Sequence, residues 1–455
     1  MQLNFLYSLN LETNQSERFG RLGLIKIAPR ASQWEWCPSF LRFNYFHKIL
    51  GGGRPLLNRS RSRRRALLTN ALSISMLLII FFTAGATAAE KVYWGGVGFI
   101  SWEDRDQLFP QSSKLLCRTA RSCPNGNIDL MARPHFEGKS YGNFELSMDL
   151  IGTKAVEGVI MAPMIFREVV GINKVISFGK TKLIHNYQIF ASVIFFEFGT
   201  GRFVGALPVL LQHTETISHK ATDAEKFAVF SDLLGNEKRG RNVFKELYKV
   251  SKNANPFNFS EKFGQITEVN LGETVQTIIV QDKDLSSWKT QVGQIFETYL
   301  VKETGAPLIP SMGKDQLSGE LIATFQSASK KITLPEPAFL FALDIRKFKL
   351  FRSEKGKQVT ECYVVLTTLR VNGLLDELMN VRFGRTKNSC GVAHSSSVFE
   401  GSFQFTKSLF SLLQRIARQF GGEPDEKFLK EASPKDPHAA EHIKRVKSEV
   451  FSTGL

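Results

Sequence analysis

The distribution of apolar and polar positions after residue 90 predicts a protein built from both strands and helices. Residues 183–198 alternate in polarity, and the turn sequence at residues 199–202 predicts that residues 203–211 return as the second strand of a hairpin. Thr222 and Glu225 have the spacing of a capping box at a helix start. The same patterns predict further strands at residues 92–100, 267–281, 339–351 and 362–371, and helices at residues 227–234, 242–250, 286–301 and 403–420.

The order of these elements is irregular, and hairpins are frequent. This favours an α+β fold, with antiparallel or mixed sheets and packed helices, over a doubly wound parallel sheet. A stretch poor in aliphatic residues near residue 260 suggests a first domain at 89–260 and a second at 261–432. The alternative is that these two halves pair in one sheet. Residues 433–455 are polar and are expected to form a flexible tail.

The N-terminal region has the pattern of an export signal. Five arginines between residues 59 and 65 precede residues 66–89, which carry no charge. The apolar centre at residues 71–82 is followed by small side chains up to Ala89. This order of a basic, an apolar and a small-residue region predicts a signal peptide at residues 59–88, cleaved between Ala88 and Ala89.

Two alternatives to a cleaved signal stay open. The uncharged run of 24 residues is long enough to span a membrane as an uncleaved anchor, or it could be a buried core helix. The arginine cluster also fits a twin-arginine export signal as well as a general one. Residues 1–58 show no sustained periodicity and are interpreted as a gene-model extension or a disordered leader.

The composition and charge exclude several classes of protein. With 43% hydrophobic and 22% charged residues, the chain is globular rather than disordered or collagen-like. The net charge is +16, but residues 1–65 hold 12 Lys and Arg and 3 acidic residues, which leaves 47 basic and 40 acidic residues in the remainder. Because the charge is concentrated in the signal region, we expect no nucleic-acid partner.

Four cysteines follow the signal, and their even number suggests disulfides in an oxidising compartment. The preferred pairing is Cys117–Cys123 with Cys362–Cys390, and four reduced, buried thiols are the alternative. No C-x2-C spacing is present, so the sequence predicts no zinc site. It also predicts no cofactor.

No motif identifies a catalytic site. The segment from His213 to His219 holds the densest group of ligand-type side chains, but their spacing does not place both histidines on one side of a helix. Glu103 and Asp104 are paired carboxylates on a polar segment, and His394 precedes a run of serines without a nucleophile elbow. We therefore take His213, His219, Glu103 and His394 as weak candidates for acid–base chemistry.

These observations together predict an exported protein, periplasmic or secreted. The expected function is a non-enzymatic interaction or assembly module that contacts other envelope or secreted proteins. Contact with a membrane is expected only through the signal segment if it is not cleaved. The alternative is an exported hydrolase with catalytic residues dispersed along the sequence.

Overall fold

The protein is described from a computed structural model. The described residues are 90–116, 127–148, 158–177, 180–236, 238–259, 261–280, 284–311, 319–326, 328–355, 358–384, 390–393, 397–399 and 401–451. All of them belong to one compact unit, Ala89–Leu455. The predicted signal segment, with Ala88 and Ala89, lies outside the described residues, as do Cys117, Cys123 and His394.

Among the described residues, the larger sheet, sheet A, has nine strands that run in mixed directions. Three long strands, β4, β5 and β6, form an antiparallel meander, and the parallel strands β1 and β2 pair with β4. Strands β9 and β10 extend the sheet through β2. The strands are β1 (Glu90–Trp94), β2 (Gly98–Ile100), β3 (Phe144–Ser147), β4 (Val159–Ser177), β5 (Lys180–Glu197), β6 (Phe203–Ile217), β9 (Glu320–Thr324), β10 (Ser329–Thr333) and β15 (Ser397–Phe399).

The smaller sheet, sheet B, has six strands in the part of the chain that the structure describes, in the order β13-β12-β11-β7-β8, with β14 paired to β12. Strands β7, β8 and β11 run parallel, whereas β11, β12 and β13 form an antiparallel meander. The strands are β7 (Gly264–Leu271), β8 (Leu308–Ile309), β11 (Phe339–Lys355), β12 (Gln358–Asn372), β13 (Glu377–Phe383) and β14 (Cys390–Ala393). Mixed sheets with packed helices confirm the predicted α+β class.

Helices cover the sheets and share one continuous apolar core with them. Helix α6 is capped by the Asp284 carboxylate and is followed by Gly305, whose φ of 71° is in the left-handed region that glycine tolerates. The helices are α1 (Arg105–Leu108), α2 (Ile128–Ala132), α3 (Asp223–Ser231), α4 (Val243–Ser251), α5 (Glu273–Val280), α6 (Leu285–Thr304), α7 (Gly401–Gly421), α8 (Glu426–Ala432) and α9 (Ala439–Val446).

Several predicted elements are confirmed. The hairpin is formed by β5 and β6, and the long strands β11 and β12 pair along their whole length. Helix α3 begins with the predicted capping box, in which Thr222 and Glu225 satisfy each other's backbone N–H. Helices α4, α6 and α7 lie where the apolar periodicity placed them.

The predicted strand at 267–281 is wrong in its second half, because β7 ends at Leu271 and α5 follows. Gly272 makes this turn possible: a Cβ there would lie 2.1 Å from the carbonyl oxygen of Arg346. In α5 the buried side chains Val275 and Ile279 are four residues apart, as on one helix face. The Val, Ile and Thr content favoured a strand, but the burial pattern has the helical period.

The observed sheets also differ from the predicted domain and tail boundaries. Strands β9 and β10, from the predicted second domain, join sheet A, so the boundary at residue 260 does not separate the two sheets. The expected flexible tail at 433–455 instead contains α9, which packs on β13 and buries Ile443 and Val446. Its apolar residues recur at helical spacing, a signal that the polar composition obscured.

Candidate functional site

An open groove lies on the polar face of sheet B. We call it the arginine groove. It has a volume of about 560 Å³ and is lined by Asn270, Leu271, Gly272, Asp344, Ile345, Arg346, Thr368, Arg370, Asn380 and Arg382. Four neighbouring strands, β7, β11, β12 and β13, supply these residues.

The alternation of side chains along the strands creates this face. Leu343, Leu369 and Val381 are buried, whereas their neighbours Asp344, Arg370 and Arg382 point to the other side of the sheet. The register then aligns the polar residues across the strands. One row runs Asn270, Asp344, Thr368, Arg382, and in the next row Arg370 is opposite Asn380.

Arg370 is held in place by acidic neighbours. Its Nε lies 3.2 Å from Oδ2 of Asp344, and an Nη lies 3.3 Å from Oδ1. The amide of Asn270 donates to the same carboxylate at 3.0 Å. The hydrogen bond to Asp344 and its charge raise the pKa of Arg370. This bidentate contact leaves Arg370 fixed and Asp344 already bound by donors.

Arg346 and Arg382 differ from Arg370, because within the described part of the chain neither makes a side-chain hydrogen bond or ion pair. Both are exposed. The groove lining therefore holds three guanidinium groups and one carboxylate, a net charge of +2. Two of the three cations have all their donors available to a ligand.

Thr368 lies at the floor of the groove between Asp344 and Arg382. Its side chain is 4% exposed, and its hydroxyl has no hydrogen-bond partner. Leaving a buried polar group unpaired costs about 1–3 kcal/mol. An unpartnered hydroxyl in a groove that also holds two unpaired arginines is therefore an unusual arrangement.

The structure places His213 in a half-buried ionic cluster at the end of β6. Its Nε2 lies 3.1 Å from Oε1 of Glu215 and 3.3 Å from an Nη of Arg239, which also pairs with Glu215 and with Asp232 at 3.3 Å. Burial, followed by the charge of Arg239, lowers the pKa of His213. The lowered pKa favours the neutral imidazole, which lies between the Glu215 carboxylate and the Arg239 guanidinium.

The other candidates do not join His213 in one site. His219 contacts Glu225 at 3.0 Å, in the capping box of α3. Glu103 is exposed in the turn Trp102–Asp104, and it makes no hydrogen bond or ion pair with a described residue. In the portion that the structure describes, no three His, Cys, Asp or Glu side chains are grouped to hold a metal ion.

Two of the cysteines lie on neighbouring strands. The register of β12 and β14 places Cys362 directly opposite Cys390, and Cys362 is disulfide-bonded. The antiparallel pairing is consistent with the predicted Cys362–Cys390 bond, which stays a prediction, as does Cys117–Cys123.

The arginine groove is not among the sites predicted from the sequence. Its signal in the sequence is an arginine that alternates with buried apolar residues, as in Leu369-Arg370-Val371 and Val381-Arg382-Phe383. Such alternation predicts only an exposed face. The polar residues of the groove come together only through the register of four strands, which the sequence does not show.

Comparisons with known proteins give no assignment. No family model matches the chain, and neither a curated protein nor a solved structure matches it. Among the described helices, none combines the length and apolar character that crossing a membrane requires.

Proposed function

We propose that the chain is an exported, non-enzymatic binding protein that recognises an anionic group on its partner through the arginine groove. The partner is another envelope or secreted protein. The observation that carries this proposal is the pair of exposed arginines, Arg346 and Arg382, which stand without an acidic partner in one open groove.

The groove has the features of a prepared binding surface. Arginine is enriched at the centre of protein interfaces because its planar fork binds carboxylate and phosphate oxygens in pairs. Arg370 and Asn270 are already fixed on Asp344, so the floor needs little ordering when a ligand binds. The binding energy is then available for contacts to Arg346 and Arg382.

The proposed export is supported by the sequence of residues 59–89 and by the cross-strand position of Cys362 and Cys390. Disulfides persist in oxidising compartments. Cell fractionation with mass determination of the mature protein tests this. We expect a chain that begins at Ala89 in the periplasm or the medium. Full-length protein in the cytosol with free thiols would contradict export.

An exported hydrolase is the second candidate, and the contact of His213 with Glu215 favours it. A carboxylate that orients an imidazole is a common part of a general base. In this cluster, however, Glu215 is also bound by Arg239. The binding function is preferred because Arg346 and Arg382 have no competing partner within the described residues, whereas His213 and Glu215 are both bound by Arg239.

A charge-matched binding experiment tests the proposed function. Titration calorimetry is done with the protein purified from its native compartment, using oligo-glutamate and inorganic phosphate as anionic probes. The double variant Arg346→Gln/Arg382→Gln loses at least about tenfold in affinity, because charge-assisted hydrogen bonds contribute about 1.5–3 kcal/mol each.

The control removes the same charge elsewhere. Arg352 and Arg418 are equally exposed but lie outside the groove, in ion pairs with Glu354 and Glu303. The variant Arg352→Gln/Arg418→Gln keeps the affinity of the unmodified protein. If both double variants lose affinity equally, or if neither probe binds, the groove is not the binding site.

A further inference from the structure

We infer that the arginine groove selects a phosphate group with two negative charges, such as a phosphomonoester or inorganic phosphate, over a carboxylate. This inference rests on the proposed function and names the chemistry of its ligand. Three properties of the groove support it: its charge, the direction of its free donors and the carboxylates at its rim.

The charge of the lining matches a dianion. Arg370 is already paired with Asp344 and Glu268. The two unpaired guanidinium groups, Arg346 and Arg382, therefore carry the charge that a ligand would neutralise, and a phosphomonoester carries about −1.5 to −2 at pH 7. A single carboxylate would neutralise only half of this charge. Uncompensated like charges in one groove are unfavourable, so the dianion is the better complement.

The free donors come from three directions. Arg346 lies on β11, Arg382 lies on β13, and the hydroxyl of Thr368 lies between them on β12. A tetrahedral phosphate offers separate oxygens to each of these donors. Because the Thr368 hydroxyl is closed off from solvent, its contact with a phosphate oxygen requires neighbouring side chains to turn toward the ligand. The acceptor sites of a planar carboxylate lie in one plane, so a carboxylate fits donors on three strands less well.

The rim disfavours an extended acidic chain. Glu268 lies 3.5 Å from Arg370, and Glu377 accepts from Asn380 at 3.2 Å. Both carboxylates are outside the lining, where they would repel successive acidic side chains of a polypeptide. A compact anion that reaches the floor between them avoids this repulsion.

The test uses an isosteric substitution at the floor. In Thr368→Val the hydroxyl is replaced by a methyl group of similar size, so the fold is kept. Because the hydroxyl has no partner in the free protein, the melting temperature stays the same or rises. The affinity for inorganic phosphate falls about tenfold, whereas Thr368→Ser retains it.

Calorimetry with inorganic phosphate, phosphoserine, acetate and oligo-glutamate at constant ionic strength measures the selectivity. Phosphate and phosphoserine bind more tightly than either carboxylate probe, and their affinity rises between pH 5 and pH 7.5 as the second proton with pKa about 6 is lost. Arginine does not titrate in this range. Flotation with vesicles that contain phosphatidate distinguishes a lipid phosphate from a free or protein-borne one.

The outcomes separate the two proposals. If oligo-glutamate or acetate binds as well as phosphate in an Arg346- and Arg382-dependent way, the phosphate selectivity is wrong and the anion-binding function stands. Unchanged phosphate affinity in Thr368→Val also overturns the selectivity. If no anionic probe binds, both proposals fail.

Discussion

At the scale of single residues, Glu297 in α6 has the most demanding environment. Its side chain is 3% exposed, and its Oε2 accepts the backbone N–H of Ser311 at 2.7 Å. It lines a cavity of about 20 Å³, and no other residue that lines this cavity is charged. Burial raises the pKa of Glu297 to about 8. The carboxyl is therefore protonated at neutral pH.

The cavity has room and partners for one water molecule. Its volume exceeds the minimum of about 10–15 Å³ that a water needs. The buried Oε1 of Gln294 also lines this region and has no hydrogen-bond partner. A water there could donate to Gln294 and connect it with the Glu297 carboxyl.

The first prediction concerns the pH dependence of stability. The pKa of Glu297 is raised from 4.5 to about 8 on folding, so its stabilising effect is complete below pH 4.5 and is lost as the pH rises through 8. In Glu297→Gln the neutral amide keeps the acceptor for Ser311 and cannot ionise. We expect its melting temperature to exceed that of the unmodified protein by more at pH 9 than at pH 5.

A second buried carboxyl provides the control. Glu168 is 6% exposed and its pKa is raised to about 7, but its two oxygens accept the N–H groups of Gln111 and Ser112 at 3.0 and 2.6 Å. In Glu168→Gln the new NH2 group would face one of these donors, which costs about 1–3 kcal/mol. Stabilisation of Glu168→Gln at pH 9, or equal pH profiles for Glu297→Gln and the unmodified protein, would contradict this account.

At the scale of secondary-structure elements, the sequence predicts an element correctly where that element depends on residues close together in the sequence. The capping box of α3 was read from two residues, and α6 from an apolar stripe. The boundary between β7 and α5 was missed because it depends on Gly272, which approaches the backbone of a distant strand at Arg346. Tertiary contacts there override the strand propensity of the sequence.

The capping box gives the second prediction. The Thr222 hydroxyl accepts the N–H of Glu225, and the Glu225 carboxylate accepts the N–H of Thr222 at 2.7 Å. Thr222→Ala removes the cap and is expected to lower the free energy of unfolding by about 1 kcal/mol. Urea denaturation followed by circular dichroism measures this loss.

The matched control for the cap is Thr274→Ala. Thr274 is exposed in the first turn of α5 and is not its cap. Alanine has the higher helix propensity, so this variant keeps or slightly raises the stability. An equal loss in both variants would show that the cap of α3 makes no special contribution.

At the scale of the whole molecule, the groove and the core both arise from parts distant in sequence. The arginine groove joins β7 to β13, and its position follows from strand register rather than from any local motif. The core also combines parts that are far apart in the sequence, because α6 packs against β6 of sheet A and β7 of sheet B. Sequence patterns identify the strands and helices, but they do not show which strands become neighbours.

This shared core predicts that the two sheets unfold together. Ile295 of α6 is fully buried, and Ile295→Ala removes apolar contacts in the helix that touches both sheets. Such substitutions cost about 2–5 kcal/mol. We expect one cooperative thermal transition, shifted to lower temperature, and a matching increase in hydrogen exchange for β5 and β12.

The control is Ile322→Ala, the same substitution at an exposed position of sheet A, where Ile322 is 47% accessible. Ile322→Ala therefore changes the transition temperature little, and it leaves the exchange of β12 unaltered. Two separate transitions, or faster exchange confined to one sheet in Ile295→Ala, would show that the two sheets are independent folding units. A single transition means instead that α6 couples the sheets, so that the groove on sheet B depends on the integrity of sheet A.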